Sequence, residues 1–473
     1  MYTLRFDQYH NVINGKLKGA EKQYYSINPF TEEKLWDTPV ASEQDLEEAV
    51  EAANVAFQTW KHSALEDRRT RIKQFANELL SQKSDWTDMI IKETGQPNEL
   101  AKEEIEAACE WLTGIASIDI PEYTTHEDED VKVTTKYFPL GVVGAIVPWN
   151  FPVFLALGKV ASSLICGNTV IVKPSPYTPY SILKVAELAQ NFFPPGVVQA
   201  LGGDDNLGPW MTKHPGIAKI SFTGSAATGK RVMAAAAPTL KRVTLELGGN
   251  DASIVCPDVD IDEVARRVFE DAFSHSGQVC IAAKRIFVHS KIFDEFVTKF
   301  TAACQALSPG TGYLSPIQNK VQFDKVRSIF EDCRAQNYEF ALGGDQELAQ
   351  IKSGYQMAPA IVVRPPDDSR LVQEEPFGPI VPILSWDDEE DVINRANNTD
   401  QGLGATVWCH DPATAERISM RLEAGSVWVN RGAFPLPTAL FGGVKQSGIG
   451  GEWGPLGLIN SYCSARTFHF AKK

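Results

Sequence analysis

Apolar residues recur along this chain with two different periods, and the change from one to the other marks its organisation. Up to about Ser42, short strand-like pieces alternate with turn signals such as Asn14-Gly15 and Asn28-Pro29, with no helical period. Leu46, Ala49, Ala53, Phe57 and Trp60 then fall at helical spacing. A second helix is predicted from Ser63, which with Glu66 has the form of a capping box ahead of Ile72, Phe75, Leu79 and Leu80, and a third over residues 99–115. Past Pro121 and an acidic tract ending at Asp130, residues 131–137 alternate as Val-Lys-Val-Thr-Thr-Lys-Tyr, a strand standing alone that must find a partner.

Beyond Pro139 the pattern becomes regular. Short β-branched runs at 142–147, 169–172, 197–201, 220–222 and 243–247 are separated by helical stretches at 154–164, 181–192 and 226–237. This alternation predicts an α/β fold whose parallel sheet is covered on both faces. A second alternating unit begins after Gly249. There Asp260 and Glu263 cap a helix carrying Val264, Val268 and Ala272, and further strand and helix pairs run to Asn430. The Gly/Ser/Pro-rich stretch 432–457 is too irregular for a core element and too aromatic for a linker, which predicts loops lining a site.

Composition narrows the functions open to such a fold. At 473 residues the chain exceeds one hydrophobic core and is expected to split into two or three domains. A net charge of −15 argues against nucleic-acid or anionic-membrane partners, and no apolar run has the length of a membrane helix. The opening Met1-Tyr-Thr-Leu-Arg-Phe-Asp is no signal peptide, so a cytoplasmic location is expected. Eight cysteines without a Cys-x-x-Cys or a histidine cluster fit reduced thiols and no metal site.

Among those cysteines Cys280 stands apart, because it follows a Gly-Gln pair that breaks the helical pattern and so places the thiol at a turn. Upstream, Glu246 interrupts an apolar run. A buried carboxylate of that kind has a raised pKa suited to a general base near neutral pH. Asn150, held between Pro148-Trp149 and Phe151-Pro152, offers an amide to an oxyanion. Thr223-Gly224-Ser225-Ala-Ala-Thr-Gly229 sits where a strand hands over to a helix, so its N–H groups can approach a pyrophosphate with Ser225 as cap. Lys173-Pro174-Ser175-Pro176 ends another strand of the same predicted sheet.

Five motifs in order, Pro148-Trp-Asn-Phe-Pro152, Glu246-Leu-Gly-Gly249, Gly277-Gln-Val-Cys280, Glu375-Pro-Phe-Gly-Pro379 and Phe441-Gly-Gly-Val-Lys-Gln-Ser-Gly448, resemble those of the aldehyde dehydrogenase superfamily over nearly the whole chain. The resemblance implies a variant Rossmann-like dinucleotide-binding domain (1–120 and 139–248), an α/β catalytic domain (249–445), and an oligomerisation arm with a C-terminal strand (121–138 and 446–473). It also implies oxidation of an aldehyde to a carboxylic acid with NAD or NADP. In that scheme Cys280 is the nucleophile, Asn150 and the Cys280 N–H bind the oxyanion, and Glu246 activates the water that hydrolyses the thioester.

Further roles follow from position. Lys159 matches a lysine assigned to proton relay, against the alternative of a snorkelling surface side chain. Lys173, Ser175, Pro176, Gly224, Ser225, Gly229 and Leu247 fall to the cofactor, with Gln322 and Lys325 at its adenosine ribose, against the alternative of a solvated helix face, Glu375 at the nicotinamide ribose and Phe377 beside that ring. Trp149, Phe151, Leu155, Gly158, Val279 and Phe434 would line a pocket for an apolar aldehyde, and the strand at 131–137 with the C-terminal strand would pair with another copy in a homodimer or homotetramer, against the alternative of a local hairpin.

Two departures stand out. Pro176 occupies a place where NAD-preferring relatives carry Glu, and Ser447-Gly-Ile-Gly-Gly-Glu452 lacks a frequent Arg, a loss not expected to touch chemistry. The loop from Ser308 to Ser315 is also shorter than in the family. The competing readings are a CoA-acylating relative, which has little use for Glu246, and a non-catalytic protein on the same scaffold.

Overall fold

The apolar runs beyond Pro139 do form the centre of a sheet. The computed structural model describes residues 4–305, 314–344 and 354–472. In its first sheet Val198–Ala200, Thr169–Lys173, Val142–Ile146, Lys219–Thr223 and Arg242–Glu246 lie side by side, all parallel. Every residue of the middle strands is buried, because helices cover both faces and leave no wet side for polar residues. Asn11–Ile13 and Lys16–Lys18 extend one edge antiparallel, and Gly448–Ile449 closes the other against Leu245 and Glu246. The chain runs outward from Val142–Ile146 in one direction and resumes at Lys219–Thr223 on its other side. That reversal opens a crevice at the carboxyl ends of these strands, where open α/β sheets bind ligands.

The second sheet has the order Glu339–Leu342, Ala360–Val363, Ile380–Trp386, Arg285–His289, Ala252–Val255, Gly404–Trp408, Ser426–Val429, parallel except at its first pair. The loops that carry Gly249, Cys280 and Glu375 enter its strands at their amino ends. Those loops meet the carboxyl ends of the first sheet, so the two edges face each other across one site.

Local expectations fail in two places. Ser63 and Glu66 form no capping box: the helix Leu65–Ser81 starts after Ala64, Ser63 Oγ donates to Trp60 O (2.6 Å), and Glu66 pairs with Arg69. The reciprocal box occurs at Ser42 and Asp45 of Glu43–Trp60. Nor does the strand Val131–Pro139 lack a partner within the chain. It pairs antiparallel with Cys463–Ala471 on one side and Tyr123–Glu127 on the other, which leaves the open edges on those outer strands. Of the loop from Ser308 to Ser315, only Leu314 and Ser315 lie within the described residues. No helix among the described residues is long and apolar enough to cross a membrane.

Candidate active site

Cys280 is delivered by a backbone that few sequences tolerate. The helix Ile261–Phe273 ends and is followed by His275 (φ 49°), Ser276 (φ 54°) and Gly277 (φ 74°), three consecutive residues in the left-handed region. Such strain persists only where surrounding bonds over-determine it. Here Ser276 Oγ donates to Ser315 O (2.6 Å) and accepts from Ser315 N (2.8 Å), while His275 Nδ1 lies 2.8 Å from Ser315 Oγ. Burial pushes His275 down to about 3, so the ring is neutral. Gln278 Nε2 donates to His275 O and Pro316 O (3.0 Å each), and its Oε1 accepts from Gln318 N (2.9 Å). A Cβ at Gly277 would stand 2.6 Å from Gly378 O, so only glycine fits the last turn.

The loop presents Cys280 partly exposed, whereas the other seven cysteines are buried. Its Sγ lies 3.9 Å from Glu246 Oε1. Glu246 ends its strand and accepts from Thr223 Oγ1 (3.1 Å) on the neighbouring strand, which aims the carboxylate into the crevice. Burial raises the pKa of Glu246, with Lys159 opposing and Glu452 adding to the rise. The Cys280 thiol is pushed well above its ordinary value by burial and by Glu246, against a lowering influence of Lys284. Asn150 is fixed through Gln96 Nε2, which donates to its carbonyl (3.0 Å), and its own Nδ2 donates to Gln278 O (3.0 Å). An amide has two N–H donors, so one remains for a ligand.

Lys159 is no surface lysine. It is 2% exposed, and Nζ donates to Ser221 Oγ (2.8 Å) and Glu452 Oε2 (3.0 Å). Ser221 Oγ and Tyr462 Oη donate to the other Glu452 oxygen, and Lys219 Nζ stands 3.9 Å from it. Burial works to raise the Glu452 carboxyl, but Lys159 and Lys219 together hold it below its ordinary value. Thus Glu452, at the end of the run that lacks the family's frequent Arg, anchors a buried ionic network whose charges bear on Glu246. The signal available in the sequence was a lysine inside the apolar run at 153–165.

On the cofactor side, Lys173 is buried at the end of its strand, and among the described residues its ammonium donates only to Pro174 O (3.3 Å). Burial pushes it down to about 8 against the charges of Asp205 and Asp204. Ser225 caps the helix Ala226–Ala236 at Thr228 N. Gly229 lies where a Cβ would meet the end of the Leu247 side chain at 2.6 Å, so the helix sits close against the residue that follows the strand. Ser175 Oγ is turned to Tyr177 N (3.2 Å), and Pro176 is partly exposed beside it. Glu375 accepts from Gly249 N (3.1 Å), and a side chain at Gly248 would collide with its carboxylate.

Gln322 and Lys325 turn their side chains to the backbone of the Glu375 loop. Gln322 Nε2 donates to Pro376 O (2.9 Å) and Phe377 O (3.0 Å), and Lys325 Nζ to Glu375 O (2.7 Å). They hold up the loop in which Phe377 has φ 52°, with its ring edge-on to Trp149 at 5.4 Å. This donor set fits a dinucleotide: a helix N-terminus for phosphate, a buried under-used ammonium, and a carboxylate for ribose hydroxyls.

A cavity of about 470 Å³ is lined by Cys280, Glu246 and Asn150. Phe151, Phe154, Leu155, Val279, Phe434, Phe441 and Trp453 wall it, and Glu103, Glu106, Glu110, Glu270 and Asp271 add carboxylates. Trp149 and Gly158, expected on this wall, are absent from it. Trp149 packs on Phe377 instead, and a Cβ at Gly158 would lie 2.9 Å from Trp453 Nε1, so the room that glycine leaves is taken by an indole.

The profile of the aldehyde dehydrogenase family matches residues 17–468. A putative aldehyde dehydrogenase of Gibberella fujikuroi, FUS7, is 42% identical over 469 residues, covering 99% of this chain and 100% of that protein. The NAD+ complex of an aldehyde dehydrogenase from Bacillus cereus superposes with a TM-score of 0.94 at 33% identity, covering 98% of this chain and 97% of the other. An NADP-dependent enzyme from E. coli also superposes at 0.94, with 30% identity and 98% of each chain covered.

Proposed function

The chain belongs to the aldehyde dehydrogenase family and oxidises an aldehyde to a carboxylic acid with a nicotinamide dinucleotide, and within that reaction we propose that Cys280 is the nucleophile, Glu246 the base and Asn150 an oxyanion donor. The observation that carries the assignment is the approach of Cys280 Sγ to Glu246 Oε1 in the cavity that both line. Burial raises the thiol, so the sulfur must give up its proton on adding, to cavity water or to Glu246 beside it. The sulfur adds to the aldehyde carbon while the Asn150 amide and the Cys280 N–H meet the oxyanion. The dinucleotide, when bound, supplies the acceptor for the hydride lost from that carbon. Glu246 then takes a proton from water, whose oxygen displaces the Cys280 sulfur and releases the acid.

Lys159, hydrogen-bonded to Ser221 and Glu452, acts on Glu246 through its charge, and it is the group we assign to receiving that proton's charge as the base is restored. Glu246 in this position also disfavours a CoA-acylating reaction, which leaves a hydrolytic base without work. We place the dinucleotide in the crevice of the first sheet, on 1–120 and 139–248, with 249–445 supplying the nucleophile.

The substrate reading is an apolar aldehyde of medium or large size. Aromatic and aliphatic walls supply the binding surface, and the carboxylates along the same cavity repel an anionic tail. A panel of aliphatic, aromatic and carboxylate-bearing aldehydes, followed by absorbance of the reduced cofactor, tests this. Apolar aldehydes are expected to exceed semialdehydes in kcat/KM by at least tenfold, about 1.4 kcal/mol; a preference for semialdehydes would sink the reading.

Both NAD and NADP are expected to serve. Pro176 neither accepts from a ribose hydroxyl nor repels a 2′-phosphate, so the two cofactors should differ by no more than about 3 kcal/mol, the scale of one charge-assisted hydrogen bond. Pro176→Glu should raise the NAD-to-NADP ratio of kcat/KM, and an unchanged ratio would place the selection elsewhere in the crevice.

The open edges of the three-stranded arm, Cys463–Ala471 and Tyr123–Glu127, invite pairing with another copy, as do exposed Tyr123 and Phe470. A homodimer or homotetramer of cytoplasmic location is therefore proposed. Light scattering should give a multiple of 52.1 kDa, and a mass of 52.1 kDa alone would contradict it.

A further inference from the structure

We propose that Lys284 is a positioning residue that sets the direction of the oxyanion-binding N–H of the catalytic loop and ties that loop to the cofactor carboxylate Glu375. The inference rests on the reading of Cys280 as nucleophile. Lys284 lies four residues beyond Cys280 and only 3% of it is exposed. Its Nζ donates to Cys280 O (2.6 Å) and Val279 O (2.9 Å), approaches Ala282 O at 3.5 Å, and stands 3.4 Å from Glu375 Oε1. A buried lysine with this many acceptors on one loop is not filling space. It replaces the hydrogen bonds that a turn of irregular backbone would otherwise lack.

The consequence for the oxyanion follows from the geometry of a peptide bond. In a trans peptide the C=O and N–H point in opposite directions. Val279 O belongs to the same peptide plane as the Cys280 N–H, so drawing that oxygen to Lys284 turns the N–H the other way and fixes it there. The next peptide plane is held equally through Cys280 O. Donation from a cation also polarises both carbonyls, which strengthens the N–H of the first as a donor.

Lys284 has a second effect through charge. Glu246, Asp251 and Glu375 all bear on the Cys280 thiol and disfavour its ionisation, as does burial, and Lys284 is the cation that works against them. Asp251 is itself buried, with its carboxylate against Gly249 and Gly404, and it too feels Lys284. One ammonium thus acts on two carboxylates, Glu375 and Asp251, and on the nucleophile's own backbone.

The test compares Lys284→Met and Lys284→Arg with the parent enzyme, using two readouts. The first is the pH dependence of iodoacetamide alkylation of Cys280 in cofactor-free protein; the second is kcat/KM for an aldehyde the parent oxidises. Lys284→Met is expected to move the alkylation midpoint to higher pH and to lower kcat/KM about 10²-fold, the loss typical of a misaligned oxyanion donor. Lys284→Arg, which keeps the charge but not the compact geometry, should hold the alkylation midpoint while losing part of kcat/KM. If Lys284→Met does not fold, Lys284→Gln, with a donor and no charge, carries the same readouts. An unmoved alkylation profile together with a kcat/KM within about threefold of the parent would overturn the proposal. That outcome beside an inactive Cys280→Ala leaves the nucleophile standing and removes only the role of Lys284. An active Cys280→Ala overturns both.

Discussion

Cys280→Ala is expected to lose aldehyde oxidation by about 10⁴-fold or more while still binding dinucleotide. The loss should exceed the 10² to 10⁴ typical of an acid–base residue, because the covalent route itself is removed. No other thiol can take over. The remaining seven cysteines are buried, and none of them lies on the cavity lined by Glu246 and Asn150. Dinucleotide binding should survive because the elements offered to the cofactor, Lys173, the start of Ala226–Ala236 and Glu375, are held by bonds in which the sulfur has no part. Turnover by absorbance and binding by titration calorimetry separate the two effects. Retention of more than about one per cent of the parent rate would move the nucleophile elsewhere.

What the chain discloses before folding depends on whether a local pattern carries the information. The buried strands of the first sheet were legible because parallel strands covered on both faces must be apolar throughout, and Val142–Ile146 and Thr169–Lys173 are. The positions of Asn150, Lys173, Gly224 and Glu246 followed with them, since each stands where such a run ends. Ser63 and Glu66 had the spacing of a capping box yet made none. A competing bond to Trp60 O and the pull of Arg69 decided the case, and neither is visible in spacing.

The ionic groups were the least legible part. Lys159, Lys219 and Glu452 are distant in sequence and meet only because the segment after Gly451 folds back beneath the first sheet. The left-handed run at His275 and Ser276 was hidden too, because non-glycine residues give no hint of positive φ; the bonds from Ser315 that enforce it come from beyond the next strand and helix. The hold of Gln322 and Lys325 on the backbone of Glu375 to Phe377 was hidden as well, since it joins segments about fifty residues apart.

Glu246→Gln is expected to split the reaction in time. Glutamine keeps an oxygen to accept from Thr223 Oγ1 and so keeps the side chain in place, but it cannot take a proton. Acylation should still give a burst of reduced cofactor comparable to the number of active sites, and the steady state that follows should be slower than the parent by about 10² to 10⁴. The pH dependence sharpens the test. Burial raises the Glu246 carboxyl, and Glu452 adds to this against Lys159, so the base form is lost at a higher pH than for an ordinary carboxylate. Parent deacylation should therefore decline as pH falls through that raised value, whereas the slow deacylation of Glu246→Gln should lack this step. Deacylation as fast as the parent would assign the water to another group. A variant that is slow and shows no burst would place the first need for Glu246 earlier, at the Cys280 proton 3.9 Å away, where a thiol pushed up by burial has the carboxylate as its neighbour.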